Sequence, residues 1–314
     1  MTRFNYIVTI HNKEDLIDRV ITGILFCAGD NSHIYLVLDG CTDGTERVVD
    51  GLIENYAGLP ITKLYAPDVH EILSLNIALR HTPQDGDGYN ILVQDDVIIA
   101  DRNFEKKVLA VNAHFGARVG VLSFRHGINL AIAESVPSIE EIDLIESSYG
   151  YGLCDKPLLP GFAVERMICL RSPQCISFST VREVGFLNEK YAPYTFDDHD
   201  YGLRCLQAGL VNVVYSVPVR SRVEWGGMRR KPQPGVAAIM KRNRAYVYQD
   251  HENFIRTLQR GAFVKDPVQI AVEGLAEDSD AVLRRYDESR LLLRDFNRKR
   301  SFELVRRFRE RLGF

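Results

Sequence analysis

The apolar positions of the first ninety residues alternate between two periods. Phe4–Ile10 is a β-rich run, and Asp15–Phe26 sets Leu16, Ile17, Val20, Ile24 and Leu25 at helical spacing. His33–Leu38 is a second short run that ends at Asp39-Gly40, and Thr42–Tyr56 turns Val48, Val49, Leu52 and Ile53 to one helical face. Ile61–Tyr65 reads as a strand, Glu71–Arg80 as a helix and Tyr89–Val93 as a strand. This alternation predicts an α/β fold with a mostly parallel sheet and flanking helices, because parallel neighbours need a crossover between them. Ligands of such sheets gather at the carboxyl ends of the strands. The polar segments His11-Asn12, Asp39–Thr45 and Gln94-Asp95-Asp96 all follow such ends, the first sign of a shared site.

Beyond this the pattern loosens. Phe104–Phe115 reads as a helix and Val119–Phe124 as a strand, but no period holds from Arg125 to Pro160, which is expected to be a long irregular loop. Strand signals return at Met167–Leu170 and Cys175–Phe178, a helix at Asp200–Ala208 closed by Gly209, and a strand at Val211–Tyr215. After Lys231-Pro232-Gln233-Pro234 the chain turns helical and charged. The expected organisation is an α/β unit over 1–230 in two halves, 1–124 and 125–230, then a helical, basic extension over 231–314. From Ala281 to Phe314 eleven Lys and Arg face five Asp and Glu, and Leu291, Leu292, Leu293, Phe296, Phe302, Leu304, Val305 and Phe308 supply an apolar face. That amphipathic stretch is expected to dock on the catalytic unit, on a second copy or on a membrane surface.

A net charge of -3 gives no general drive toward nucleic acid. The early residues lack the apolar core of a targeting segment, and no run of about 18 apolar residues is long enough for a membrane span. The six cysteines are scattered without a Cys-x-x-Cys pair, which suits buried thiols in a reducing, cytoplasmic setting, with the basic C-terminal stretch as a peripheral contact with the membrane's inner face.

Three motifs carry candidate chemistry. In Leu38-Asp39-Gly40-Cys41-Thr42-Asp43-Gly44-Thr45 a strand ends, a glycine turns the chain and a helix begins, with Thr42 as the expected N-cap and Asp43 suited to the helix dipole. An ordinary capped turn has the same composition. Gln94-Asp95-Asp96 sets two carboxylates at the end of an apolar strand, where a hard divalent cation is a natural partner and an exposed acidic turn the plain alternative. Asp197-Asp198-His199-Asp200 places three aspartates within four residues of a helix start, one more than capping asks for. Crowded like charges raise at least one carboxyl, which favours proton acceptance.

Together and in this order the motifs resemble those of family 2 glycosyltransferases, which have the GT-A fold. The resemblance covers roughly residues 4–225 and includes His11-Asn12-Lys13, Asp39-Gly40-Cys41-Thr42-Asp43-Gly44-Thr45, Asn76, Gln94-Asp95-Asp96, and Gly185-Phe186-Leu187-Asn188-Glu189 followed by Asp197-Asp198-His199-Asp200. It implies inverting transfer of a sugar from a nucleoside diphosphate to a hydroxyl of a glycan or lipid-linked acceptor, as in building a polysaccharide. It implies Asp198 as general base, with Asp197 second, and Thr9, His11, Asn12, Asp39, Asn76 and Asp95 around the donor. It also implies Mg²⁺ or Mn²⁺ held through Asp96. The chain departs from the pattern at three places. Leu38 stands where a second aspartate is usual, Gln94 replaces the first acid of Asp-x-Asp, and Val219–Gly227 has no histidine, so Glu224 is expected either as the substitute ligand or in a surface salt bridge with Arg222 or Arg229. The basic Arg229-Arg230-Lys231 is expected either to close over the diphosphate or to be a solvated turn.

Two other classes share parts of this pattern. A non-catalytic nucleotide-sugar binder fits the departures, although the intact acidic cluster speaks for chemistry. A sugar nucleotidyltransferase would open with a glycine-rich loop, and Ile7–Lys13 has no glycine.

Overall fold

The computed structural model describes residues 2–55, 58, 60–99, 101, 103–116, 118–147, 157–159, 161–171, 173–217, 219–221, 225–226, 235–261 and 270–272. Glu224, Arg229-Arg230-Lys231 and the basic stretch from Ala281 lie outside the described residues.

Strand β1 (Arg3–Ile10) leads to helix α1 (Ile17–Cys27), β2 (Ser32–Asp39), α2 (Thr45–Asn55), β3 (Ile61–Ala66), α3 (His70–His81) and β4 (Gly88–Gln94). The two periods in the sequence therefore become alternating strands and helices. The four strands lie side by side in the order β3-β2-β1-β4, all parallel. The order reverses at β1, so a crevice opens between the carboxyl ends of β1 and β4. There Thr9 lies abreast of Val37 on one side and Gln94 on the other.

The apolar run of β1 follows from coverage on both faces. Tyr6, Val8 and Ile10 pack with Ile17, Ile21 and Ile24 of α1, while Ile7 packs with Ile72, Leu75 and Leu79 of α3. A strand buried on both sides has no polar face, so alternation disappears. Each fully buried aliphatic side chain contributes about 1.5–3 kcal/mol, which fixes the strand ends that carry the site.

The chain continues through β5 (Ile98–Ile99), α4 (Phe104–His114), β6 (Val119–Ser123), β7 (His126–Ile132), β8 (Ile139–Ser147), β9 (Pro157–Leu158), β10 (Phe162–Glu165), β11 (Ile168–Leu170), β12 (Gln174–Ser177), α5 (Phe178–Val184), α6 (Asp197–Gln207), β13 (Val211–Tyr215), β14 (Val219–Arg220), α7 (Val236–Arg260) and β15 (Ile270–Ala271). The main sheet reaches nine strands in the order β15-β10-β13-β6-β12-β4-β1-β2-β3. Its second half is mixed: β12 runs antiparallel to β4 and β6, while β13 is parallel to β6.

Two expectations change. The stretch Arg125–Pro160 contains the long antiparallel pair β7–β8, the centre of a second, four-stranded sheet in the order β11-β7-β8-β9. Its period was hidden by a register shift between Gly127 and Asn129 and by Asp143, which takes a positive φ of 56° inside β8. Such irregularities turn successive side chains off the two-residue repeat. The second change concerns the boundary at residue 231. Helix α7 packs on α6, β7 and β8, with Val247 and Ile255 in the core, and β15 pairs with β10 at the edge of the main sheet. Residues 236–260 and 270–271 thus belong to the same packed unit. No helix among the described residues is long and apolar enough to cross a membrane.

Candidate active site

The first part of the site is the carboxyl edge of β1, β2 and β4. Asn12 follows β1 at a positive φ of 52°, a conformation that asparagine tolerates. Its Oδ1 accepts the backbone N–H of Thr42 at 2.8 Å and of Asp43 at 3.3 Å, tying the end of β1 to the turn after β2. Helix α2 begins at Thr45, and its N–H donates to Asp43 Oδ1 at 3.0 Å. Asp43 rather than Thr42 therefore holds that helix start. His11 Nδ1 lies 2.6 Å from the Asp39 carbonyl oxygen. Asp39 is buried and its Oδ1 accepts the Val69 N–H at 2.8 Å. Gly40 has φ +57°, and a Cβ there would stand 2.5 Å from Cβ of Asp68, so glycine alone fits between the two turns.

Asp95 is held from both sides. Its Oδ2 accepts the His11 N–H at 3.0 Å, and its Oδ1 lies 3.3 Å from Nζ of Lys13. That ammonium also donates to the Trp225 carbonyl at 2.5 Å, so Lys13 links β1, the acidic pair and the chain after β14. Burial pushes the Asp95 carboxyl up to about 6 against the pull of Lys13. Asp96, its neighbour, is buried. Among the described residues no three His, Cys, Asp or Glu side chains converge as a ready metal cage. Asp95 is engaged by Lys13, and Asp96, the ligand that the resemblance implies, is buried beside it. One or two carboxylates plus phosphate oxygens are the usual protein share of a Mg²⁺ site, so this donor set fits.

The second part is the start of α6, which sits over β11. All three aspartates lie in its first turn. Arg171, just after β11, donates from Nη2 to Asp197 and, at 3.0 Å, to Asp198 Oδ1. Its backbone N–H donates to Asp198 Oδ2 at 3.2 Å. The side chains of Asp197 and Arg171 are each 4% exposed and that of Asp198 is 16% exposed. Asp198 is thus the carboxylate that an incoming molecule can reach. Burial pushes the Asp197 carboxyl up, with Arg171 opposing. Asp200 has a separate role: its Oδ2 takes Nε of Arg204 at 2.8 Å and its Oδ1 meets Nε2 of His251 on α7 at 3.1 Å.

The turn before α6 is unusual. Thr195 and Phe196 both adopt positive φ, 73° and 64°. Asn243 of α7 holds this shape, donating its amide to the carbonyls of Tyr191 at 2.8 Å, Tyr194 at 3.0 Å and Thr195 at 2.9 Å.

The two parts are joined. Gln94 Nε2 donates to Glu71 Oε1 at 2.8 Å, and that oxygen is 3.8 Å from Nη1 of Arg171. A chain of polar contacts therefore runs from the acidic end of β4 to the first turn of α6. The structure brings Thr9, His11, Asn12, Asp39, Asp95 and Asp96 to one sheet edge and connects Asp197 and Asp198 to it. Asn76 is not with them. It is fully buried, its amide donates to the Leu187 carbonyl at 2.8 Å and to Glu189 at 3.0 Å, and its Oδ1 accepts the Leu187 N–H at 3.1 Å. Its placement around the donor is corrected to a tie between α3 and the turn after α5. Lys13, Glu71, Arg171 and Asn243 were not assigned to the site from the sequence, since the partners of each are distant along the chain.

No protein-family model matches the chain, and no curated protein matches it in sequence. Solved structures do. GalNAc-T7 with UDP, GalNAc and Mn²⁺ aligns with a TM-score of 0.59 at 12% identity, over 92% of this chain and 54% of that one. The mannosyltransferase PcManGT from Pyrobaculum calidifontis, in complex with GDP-Man and Mn²⁺, gives a TM-score of 0.48 at 15% identity, over 98% and 86%. S. aureus TarS 1–349 gives 0.47 at 15% identity, over 69% of this chain and 58% of that one. The chain spans little more than half of TarS 1–349 and of GalNAc-T7. At these identities the likeness is one of fold. The reversed strand order at β1 and the alignment with GalNAc-T7 together show that the chain has the GT-A fold.

Proposed function

We propose that the protein transfers a sugar from a nucleoside diphosphate to an acceptor hydroxyl with inversion. The observation that carries this reading is the polar line Gln94–Glu71–Arg171–Asp198, two hydrogen bonds joined by an ion pair at 3.8 Å, which connects the Asp198 carboxylate to the carboxyl edge of a GT-A sheet. Thr9, His11, Asn12 and Asp39 would line the nucleoside. Asp96, with Glu224 beyond the described residues, would hold Mg²⁺ or Mn²⁺, and such an ion supplies Lewis-acid stabilisation of the departing diphosphate. Lys13 places a fixed positive charge at the same end. Asp198 would take the proton of the acceptor hydroxyl as that oxygen attacks the anomeric carbon. Arg171 grips both its oxygens and so sets the direction in which the carboxylate faces. One displacement needs no covalent intermediate. The acceptor side falls to β7, β8 and the α6 turn, with a glycan or lipid-linked hydroxyl as the acceptor class.

The test is a panel of nucleotide sugars incubated with the purified chain, with and without Mn²⁺, measuring nucleoside diphosphate release. Release from one donor, lost in Asp198→Asn, is expected. No release from any donor with any acceptor tried would favour a second reading, a nucleotide-sugar binder without turnover. The capture of Asp95 by Lys13 is the observation on its side.

A further inference from the structure

Glu71 stands where the two parts of the site meet. It lies in the first turn of α3, where an acid suits the helix dipole and asks for no other explanation. Its surroundings do ask for one. The side chain is 27% exposed, and its Oε1, already bonded to Gln94, is 3.8 Å from Nη1 of Arg171, too far for a hydrogen bond. Nε and Nη1 of Arg171 are closed to solvent and have no hydrogen-bond partner among the described residues. Buried donors of a charged group are rarely left unmet, because the full desolvation cost then stands. The residues around them hold three carboxyl groups, Glu71, Asp197 and Asp198, against the single guanidinium. The cluster as it stands therefore leaves two buried donors of its cation, Nε and Nη1 of Arg171, without an acceptor among the described residues.

A sugar hydroxyl can supply the missing acceptor through its oxygen and pass its hydrogen to the partly exposed Glu71 carboxylate. Position agrees with chemistry. In the proposed function the diphosphate lies at the Asp96 end and the base is Asp198, so the transferred ring must lie between them. Glu71 touches both ends, through Gln94 beside Asp95-Asp96 and through Arg171 beside Asp198. We propose that Glu71, backed by Gln94 and Arg171, binds a hydroxyl of the transferred sugar and so selects the donor by its sugar as well as its nucleotide. The carboxylate turns toward the ring, accepts the hydroxyl proton in a hydrogen bond, and uncovers Nη1 of Arg171 for the hydroxyl oxygen. Burial pushes the Glu71 carboxyl up to about 7, against the pull of Arg171, so near neutrality it is equipped to donate as well as to accept.

This inference rests on the proposed function, and binding measurements separate the two. The full chain, in Mn²⁺, is titrated calorimetrically with UDP, GDP, ADP, CDP and dTDP, and with UDP-glucose, GDP-mannose, ADP-glucose, CDP-glucose and dTDP-glucose. For the pair that wild type prefers, Glu71→Ala and Glu71→Gln are expected to weaken the sugar nucleotide about tenfold while the Kd of the bare diphosphate stays put, the loss of one charge-assisted hydrogen bond. The isosteric Gln variant carries the test should the Ala variant melt early. Equal weakening of both members of the pair, or of neither, overturns the role of Glu71 and leaves the proposed function standing. Failure of wild type to bind any of the ten ligands overturns both.

Discussion

Arg171 donates its backbone N–H and its guanidinium to the two oxygens of one carboxylate, that of Asp198. A carboxylate gripped at both oxygens has a fixed orientation, and general base catalysis depends on orientation. Asp198→Asn should lower kcat about 10²–10⁴-fold with donor affinity unchanged, read from steady-state rates and from nucleotide titrations. Asp197, closed off beneath Arg171, should affect activity through Arg171 and stability together. Near wild-type turnover in Asp198→Asn would remove it from the chemistry.

Asp200 gives a prediction in pH. Burial alone would raise its carboxyl, but the hydrogen bond from His251 and the charge of Arg204 hold it below the usual carboxylate range. A lowered folded value means that the ionised form stabilises the protein above the unfolded value of about 3.9, and that this stabilisation is lost as pH falls through the folded value. Asp200→Asn should cost about 3 kcal/mol at pH 7 by urea denaturation, since it removes the buried carboxylate that Arg204 and His251 share. The gap to wild type should shrink below about pH 4. A gap that does not narrow in acid would mean that packing, not charge, sets the cost.

Lys13 is half-buried between Asp95 and the Trp225 carbonyl. Lys13→Met keeps the aliphatic stem and removes the cation. We expect about 3 kcal/mol of lost stability, as for other pairs broken in a part-buried setting, together with weaker binding of nucleoside diphosphates. Calorimetry on a variant shown to be folded separates the two effects. Unchanged affinity would confine Lys13 to a structural tie.

Asn243→Ala removes three hydrogen bonds from the turn before α6. Carbonyls left unmet cost about 1–3 kcal/mol each when buried. Amide exchange at Tyr194–Phe196 should speed up and kcat should fall, while nucleotide affinity holds. Slow exchange there in the variant would show that the turn keeps its shape without α7.

How much of this could be read along the chain depends on the range of each interaction. The first half of the sheet was legible because its signals are local: apolar runs of β1, β2 and β4, each ending in polar residues that also follow it in space. The three aspartates of α6 were legible as a cluster because they are adjacent in the chain, but the Arg171 that holds Asp198 is 27 residues away. Asn76 misled for the opposite reason. Its place in the chain matches a motif, but its partners are Leu187 and Glu189, more than a hundred residues away. Glu71 opens a predicted helix and Arg171 follows a predicted strand, and only the approach of α3, β4 and β11 makes them a pair. The hairpin β7–β8 was lost to its bulge and to the positive φ of Asp143.

The hold of Asn243 on two left-handed residues, Thr195 and Phe196, has a thermal consequence. Each such residue is about 1–2 kcal/mol above its relaxed conformation, so the base turn keeps its form only while α7 stays docked. Among the described residues the hydrogen bonds of α7 go to the α6 turn, to Lys190 and to β7 and β8, and none reaches the carboxyl ends of β1, β2 and β4. Warming should therefore silence transfer at a lower temperature than it releases the donor, leaving over that interval a protein that still captures its sugar nucleotide and no longer passes the sugar on.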